Sequence, residues 1–129
     1  LLKDFCEHPL KDLHNLFYLS IDQIVEMKDN GMHFGSHGKS HFWFESLNAD
    51  FQEREISESK SFLDNIYKNE SYLRTMCFPY GSYNKITIDL LKKYNYKIGL
   101  TTVPQIYNPD HNTFLEIPRL DTNDYPKSS

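Results

Sequence analysis

The chain repeats a unit of one amphipathic helical segment, one short strand-like segment and one polar loop. A first helix is predicted to begin at Ser20, because Ser20 and Gln23 form a capping box, and to end at Gly31, which favours the left-handed C-terminal position. Further helical patterns cover residues 49–68 and the segment after Asn84. The strand-like segments are residues 32–35, 72–78, 96–102 and 114–120. Helices that alternate with short strands indicate an α/β fold built from parallel βα units.

The length and composition favour one globular domain. A chain of 129 residues has the length of a single domain, so we expect one domain over 1–129, with a connecting segment at 1–19 and a motif-bearing core at 20–124. Hydrophobic residues make up 39% of the chain, which suits a packed core. The net charge of −4, without a basic stripe, argues against a nucleic-acid partner. No apolar run reaches 18 residues, so we expect no membrane span.

Polar residues follow three of the predicted strands. His37 and His41 come after the first strand, Pro79–Gly81 comes after the second, and Arg119 and Asp121 close the last. The carboxyl ends of parallel strands carry the ligand sites of α/β folds. We therefore expect these three clusters to meet on one face of the sheet or barrel.

The two histidines form a candidate metal site. Side chains four positions apart share a face if a short helical turn carries them, as His37 and His41 would. Neutral imidazole is the commonest transition-metal ligand, and catalytic zinc sites often combine two or three imidazoles with a carboxylate. The spacing alone fits a metal site or two exposed histidines in a polar loop, and the shared strand-end position favours the metal site.

Three motifs together resemble the polysaccharide deacetylase family, which is the NodB homology domain or carbohydrate esterase family 4. The motifs are HFGSHGKSH at 33–41, FPYGSYN at 78–84 and IPRLD at 117–121, and they occur in the order of the family. The resemblance implies a distorted (β/α)7 barrel. It also implies a metal-dependent hydrolase that removes N- or O-acetyl groups from an acetylated oligo- or polysaccharide, in cell-envelope polysaccharide metabolism.

The resemblance also implies the roles of individual residues. His37 and His41 match the two histidine ligands of a divalent metal, with Zn²⁺ expected first and Co²⁺, Mn²⁺, Ni²⁺ or Fe²⁺ as alternatives. The backbone N–H of Tyr80 would help to hold the oxyanion, and Arg119 would position the catalytic-base aspartate of the family. These two residues are the candidate catalytic residues.

The substrate-binding candidates are Pro79, Tyr80 and Trp43. Pro79 and Tyr80 match the groove wall of the family, and an aromatic ring such as that of Tyr80 offers a flat surface to a sugar. Phe42, Trp43 and Phe44 follow the second histidine directly. We expect two of these three to pack in the core and Trp43 to line the sugar groove.

Several features depart from the family. The family begins with a strand that ends in two aspartates, a metal ligand and the general base, and this sequence contains no Asp-Asp pair. The late general-acid histidine is missing, because His111 lies in an unrelated loop, and Gly38 stands where Thr or Ser is usual. We expect a partial barrel that lacks its N-terminal strands, is inactive by itself and self-associates through exposed sheet edges.

The sequence is therefore compatible with three functions. The first is a truncated metal-dependent deacetylase. The second is a non-catalytic carbohydrate-binding relative of the same fold, which would bind the sugar without hydrolysing it. The third is a structural metal domain, in which the histidines only fasten a loop.

Overall fold

The computed structural model describes residues 17–68 and 70–125 of the chain. It divides the chain into two compact units, with the boundary between His33 and Phe34. Residues 1–16 of the predicted connecting segment 1–19 lie outside the described residues. The single domain stays a prediction. The helices are α1 (Ile21–Asp29), α2 (Ala49–Tyr67) and α3 (Lys85–Lys93), and the strands are β1 (Thr75–Cys77) and β2 (Ile98–Leu100).

Helix α1 belongs to the first unit and has the predicted caps. The Ser20 hydroxyl accepts a hydrogen bond from the Gln23 amide at 3.2 Å, and the Gln23 side chain accepts one from the Ser20 amide at 2.8 Å. Gly31 follows the helix with φ of +90°. This is the left-handed conformation that glycine adopts without steric cost.

The second unit contains a small parallel sheet. Strand β1 pairs with β2 in parallel, with Met76 opposite Gly99. Single parallel bridges add Ser36 beside Met76 and Ile117 beside Leu100. The order across the sheet is therefore Ser36, β1, β2, Ile117. This arrangement confirms the predicted α/β fold with parallel strands, while the partial barrel stays a prediction.

The predicted strands 72–78 and 96–102 shorten to β1 and β2, and the other two predicted segments are not strands among the described residues. Residues 32–35 form no strand, because the Met32 amide donates to the Met27 carbonyl at 3.0 Å and so belongs to the end of α1. Pairing begins only at Ser36. Residues 114–120 contribute a single bridge at Ile117, because the Glu116 amide turns back to the Thr113 carbonyl at 3.0 Å.

The core of the second unit packs helices α2 and α3 with the sheet. Helices α2 and α3 are also joined by a hydrogen bond of 2.7 Å from the Thr87 hydroxyl to the Gln52 side chain, and both residues are fully buried. None of the helices in the described ranges combines the length and the apolar character that crossing a membrane requires. The buried hydrophobic cluster consists of Phe44, Ile56, Met76, Phe78, Leu91, Tyr96 and Leu115.

Candidate functional site

The loop of residues 37–41 leaves the sheet after Ser36 and brings both histidines together. The ring centroids of His37 and His41 lie 4.7 Å apart, with an angle of 66° between the planes. The loop is not the helical turn that the spacing suggested. Gly38 and His41 instead adopt left-handed conformations, with φ of +72° and +58°. Both imidazoles are exposed, so they are accessible to a ligand.

The orientation of His37 is fixed by a backbone carbonyl. Its Nδ1 lies 2.8 Å from the carbonyl oxygen of Cys77, the last residue of β1. A carbonyl oxygen can only accept a hydrogen bond, so Nδ1 carries the proton and donates. The Nε2 lone pair is then the one available to a metal, in the arrangement by which proteins set the tautomer of a histidine ligand.

Buried side chains of α2 hold the backbone of this loop. The Ser36 hydroxyl is 2.8 Å from the Ser59 hydroxyl, which donates to the Ile56 carbonyl at 3.0 Å. The Glu55 carboxylate accepts hydrogen bonds from the two backbone amides that precede His41. Sequence reasoning missed Glu55 and Ser59. A signal was present, because Gln52, Glu55 and Ser59 form a polar stripe at helical spacing along α2.

The tight turn after β1 places Tyr80 against the histidines. Its ring centroid lies 4.7 Å from that of His41 and 5.1 Å from that of Trp43. Tyr80 has φ of +57°, which is rare for a residue with a side chain. Within the described part of the chain its amide N–H has no hydrogen-bond acceptor. Pro79 is buried, so it shapes the turn without offering its ring to solvent.

Only one of the three aromatic residues after His41 packs in the core. Phe44 is fully buried, whereas Phe42 and Trp43 are each more than half exposed. The expectation that two of them are core residues is therefore wrong. Trp43 and Tyr80 together present a continuous exposed aromatic surface beside His41.

Arg119 lies at the same edge of the sheet. Its Nε donates to the Thr101 carbonyl at 2.8 Å, and its Nη1 lies 3.8 Å from the Sγ of Cys77. Cys77 is the residue whose carbonyl orients His37, so the guanidinium and the imidazole flank one strand end. The part of Arg119 in catalysis stays a prediction.

Asp121 acts as a local cap. Its carboxylate accepts a hydrogen bond from the Asn123 amide at 2.9 Å, at the start of the 3₁₀ turn Thr122–Asp124. That bond, together with one from the Asn123 side chain, lowers the pKa of Asp121. Asp121 and Arg119 border a shallow cleft of about 220 Å³.

The described residues bring two candidate metal ligands together, His37 and His41, and no third beside them. No group of three or more His, Cys, Asp or Glu side chains that could hold an ion occurs within 17–68 and 70–125. His111 lies in a different cleft, which Tyr83 and Glu116 also line. Two imidazoles with one oriented tautomer fit part of a zinc site, because catalytic zinc usually takes three protein ligands.

Comparison with known proteins gives one family. The family model described as Polysaccharide deacetylase matches residues 14–99. The protein YxkH of Bacillus subtilis (strain 168) is 27% identical over 104 residues, which are 81% of this chain and 37% of that protein. The poly-β-1,6-N-acetyl-D-glucosamine N-deacetylase of Staphylococcus epidermidis is 31% identical over 121 residues, which cover 84% of this chain and 40% of that enzyme.

Solved structures show the same fold. The deacetylase PplD of Streptococcus pyogenes, solved in complex with acetate, superposes with a TM-score of 0.74 at 31% identity, over 86% of this chain and 48% of that one. IcaB of Ammonifex degensii superposes with a TM-score of 0.63 at 19% identity, which shows the fold alone. The chain thus spans about two fifths of the curated relatives and about half of the solved ones.

Proposed function

This chain belongs to the polysaccharide deacetylase family, and we propose that it forms the histidine-bearing part of a metal-dependent enzyme that removes acetyl groups from a carbohydrate. The observation that carries the proposal is the pair of His37 and His41, with rings 4.7 Å apart and the Nε2 of His37 free to act as a ligand. The remaining protein ligand and the general base come from outside the residues described.

The two histidines would hold a divalent cation, with Zn²⁺ as the first expectation because imidazole suits it. A cation bound there would polarise the acetyl carbonyl and lower the pKa of a bound water. The carbonyl of Cys77 keeps His37 in the tautomer that serves this purpose. Loss of such an outer partner of a metal ligand typically lowers metal affinity or activity about 10–100-fold.

Backbone and side-chain donors around the histidines complete the chemistry. Hydrolysis of an amide or ester places negative charge on the carbonyl oxygen, and a donor fixed in advance stabilises that charge without reorganisation. The Tyr80 N–H, held in a strained turn beside His41, is the proposed donor. Arg119 is the proposed partner of the catalytic-base aspartate, since a guanidinium can bind a carboxylate with two parallel hydrogen bonds.

The proposed substrate is an N-acetylated amino-sugar polymer. A curated relative acts on poly-β-1,6-N-acetyl-D-glucosamine by its name, and a solved relative was captured with acetate, the product of deacetylation. The exposed surface formed by Trp43 and Tyr80 adjoins His41 and suits the apolar face of a sugar ring. This substrate class points to cell-envelope polysaccharide metabolism.

The metal site is tested by zinc content and acetate release. Replacement of His37 by Ala should lower the zinc bound per protein, measured by elemental analysis. In the longest natural form of the protein, a chelator should stop acetate release from N-acetylglucosamine oligomers. The matched control is His111→Ala, which removes an imidazole from a different cleft. Unchanged zinc stoichiometry in His37→Ala would refute the site.

The 129-residue chain tested alone should release little acetate. A general acid or base typically contributes about 10²–10⁴-fold to a rate, and the family's base has no match in this sequence. Oligosaccharide binding without acetate release, in the longest natural form of the protein with zinc supplied, would instead favour the non-catalytic relative. The presence of only two ligands among the described residues is the observation that keeps this second candidate.

A further inference from the structure

The carboxylate of Glu55 accepts hydrogen bonds from the backbone of the loop that carries the two histidines. We propose that Glu55 is the positioning residue of the metal site. This inference rests on the proposed function, because it assigns Glu55 a part in metal binding. Glu55 touches no atom of the proposed ligands. It acts through the backbone between them.

The contacts of Glu55 define this role. Its Oε2 accepts hydrogen bonds from the amides of Lys39 at 2.9 Å and Ser40 at 2.6 Å. These amides lie between His37 and His41, so the carboxylate fixes the segment that determines the separation of the two imidazoles. Because α2 also holds Ser36 through Ser59, one helix anchors both the start and the middle of the loop.

Because Glu55 is buried, its hydrogen bonds to the loop are not incidental surface contacts. The residue is 5% exposed, and a buried carboxylate is costly unless hydrogen bonds satisfy it. In the described part of the chain its donors are the two loop amides, while the Lys39 ammonium pairs with Glu58 instead. Charge-assisted hydrogen bonds of this kind are shorter and stronger than neutral ones. The loop and the carboxylate therefore stabilise each other.

Gly38 explains how the carboxylate comes so close. A Cβ at this position would lie 3.3 Å from the Glu55 Oε2 and 3.3 Å from the ring of Phe44. Gly38 also has φ of +72°, where a side chain is strained. The residue that departs from the family's usual Thr or Ser thus leaves room for Glu55 under the loop.

The inference is tested by the zinc affinity of Glu55→Gln and Glu55→Ala in the protein, measured by competition with a chromophoric chelator. Loss of an outer partner typically weakens metal binding about 10–100-fold, and we expect Glu55→Ala to fall in this range and Glu55→Gln, which keeps one acceptor, to lose less. A second readout needs no metal. The NMR cross-relaxation between the rings of His37 and His41 should weaken in both variants of the metal-free protein.

Two control variants on α2 separate positioning from general effects. Glu58→Gln removes a carboxylate that, within residues 17–68 and 70–125, pairs with the Lys39 side chain and not with the loop backbone, so zinc affinity and the ring contact should stay unchanged. Gln52→Ala removes a buried polar side chain that holds the Leu47 carbonyl and Thr87, so it should lower stability without changing either readout.

The outcomes distinguish this inference from the proposed function. If His37→Ala abolishes zinc binding while both Glu55 variants bind zinc as the parent does, the assignment of Glu55 is wrong and the metal site stands. An equal loss of affinity in Gln52→Ala and Glu55→Ala would also overturn it, because general destabilisation would then explain both. Unchanged zinc binding in His37→Ala would remove the metal site, and the role of Glu55 toward it, together.

Discussion

At the scale of single residues, two of the described residues that have side chains and positive φ lie at the candidate site. His41 and Tyr80 have side chains and yet adopt φ of +58° and +57°, and their rings touch. A left-handed residue with a Cβ costs roughly 1–2 kcal/mol, which the surrounding structure must offset. Residues of this kind also occur at helix ends, as Asn95 does, so it is the contact of the Tyr80 ring with His41, together with the strain, that suggests a role for Tyr80 beyond packing.

Replacement of Tyr80 by Gly should separate stability from binding. The change relieves the left-handed strain, so the free energy of unfolding measured in urea should stay equal or rise. It also removes the ring beside Trp43, which should weaken binding of N-acetylglucosamine oligomers by up to about tenfold, since an aromatic contact contributes roughly 0.5–1.5 kcal/mol.

Asn95→Gly is the matched control for that substitution. Asn95 has φ of +60° at the end of α3, so its replacement relieves the same kind of strain away from the candidate site. Calorimetric titration should give unchanged oligosaccharide binding for this variant. Unchanged binding in Tyr80→Gly as well would contradict the proposed aromatic surface.

Tyr72 makes the free energy of unfolding depend on pH in the alkaline range. Burial, and then its hydrogen bond to Asp64, raise the pKa of Tyr72 to about 12. A raised pKa means that the fold favours the neutral phenol, so this contribution is complete below pH 10 and is lost between about pH 10 and 12. The parent should lose roughly 1 kcal/mol more than Tyr72→Phe between pH 9 and 12, a figure reduced for solvent exposure.

Asp64, the hydrogen-bond partner of Tyr72, makes the free energy of unfolding depend on pH in the acid range, where stability falls as the pH falls. Burial alone would raise the pKa of Asp64, but hydrogen bonds from Lys60, Tyr72 and Arg74 lower it overall. A lowered pKa favours the charged carboxylate in the fold, so this contribution is present above the ordinary value of 3.8 and is lost as the pH falls through the lowered pKa. Urea unfolding across pH should show both losses in the parent. A parent and Tyr72→Phe that differ equally at every pH would contradict the assignment.

At the scale of elements, one threonine links two helices. The Thr87 hydroxyl donates to Gln52 at 2.7 Å and accepts from the Asn84 amide at 3.1 Å, which completes the cap of α3. Thr87→Val keeps the volume and leaves both partners unsatisfied. We expect it to cost about 1–3 kcal/mol in the free energy of unfolding, measured in urea. The control is Thr113→Val, whose hydroxyl bonds Glu116 at the surface and should cost less than about 0.5 kcal/mol.

The helices were predictable because their signals are local. The capping box at Ser20 and the cap at Asn84 are both present in the structure. The strands were less predictable, because pairing depends on partners far away in the chain. The apolar segment 32–35 has the composition of a strand, yet the end of α1 uses its first amide and the sheet begins only at Ser36.

The site was predictable only where topology fixes it. Ser36 and β1 are neighbours in the parallel sheet, so the proximity of His41 and Tyr80 follows from their positions after these two segments. Glu55 was not predicted as a site residue, because a glutamate on a polar helix normally faces water. Only the tertiary fold reveals that it is buried beneath a loop 15 residues earlier in the chain.

At the scale of the whole molecule, the described sheet has two outer positions, Ser36 and Ile117. The backbone at a sheet edge is a template for pairing with another chain. Close to the Ile117 side, Phe114 is 65% exposed and stacks on Tyr107. An exposed apolar side chain beside a sheet edge favours association.

We therefore expect the 129-residue chain to associate as its concentration rises, with the weight-average mass in sedimentation experiments increasing above that of the monomer. Phe114→Lys should reduce this association, because a lysine beside an edge opposes pairing with a second strand. The matched control is Phe62→Lys, since Phe62 is 45% exposed on helix α2 and the substitution adds the same charge away from the edge. An equal reduction in both variants would point to net charge and not to the edge. A purely monomeric parent at every concentration would contradict the prediction altogether.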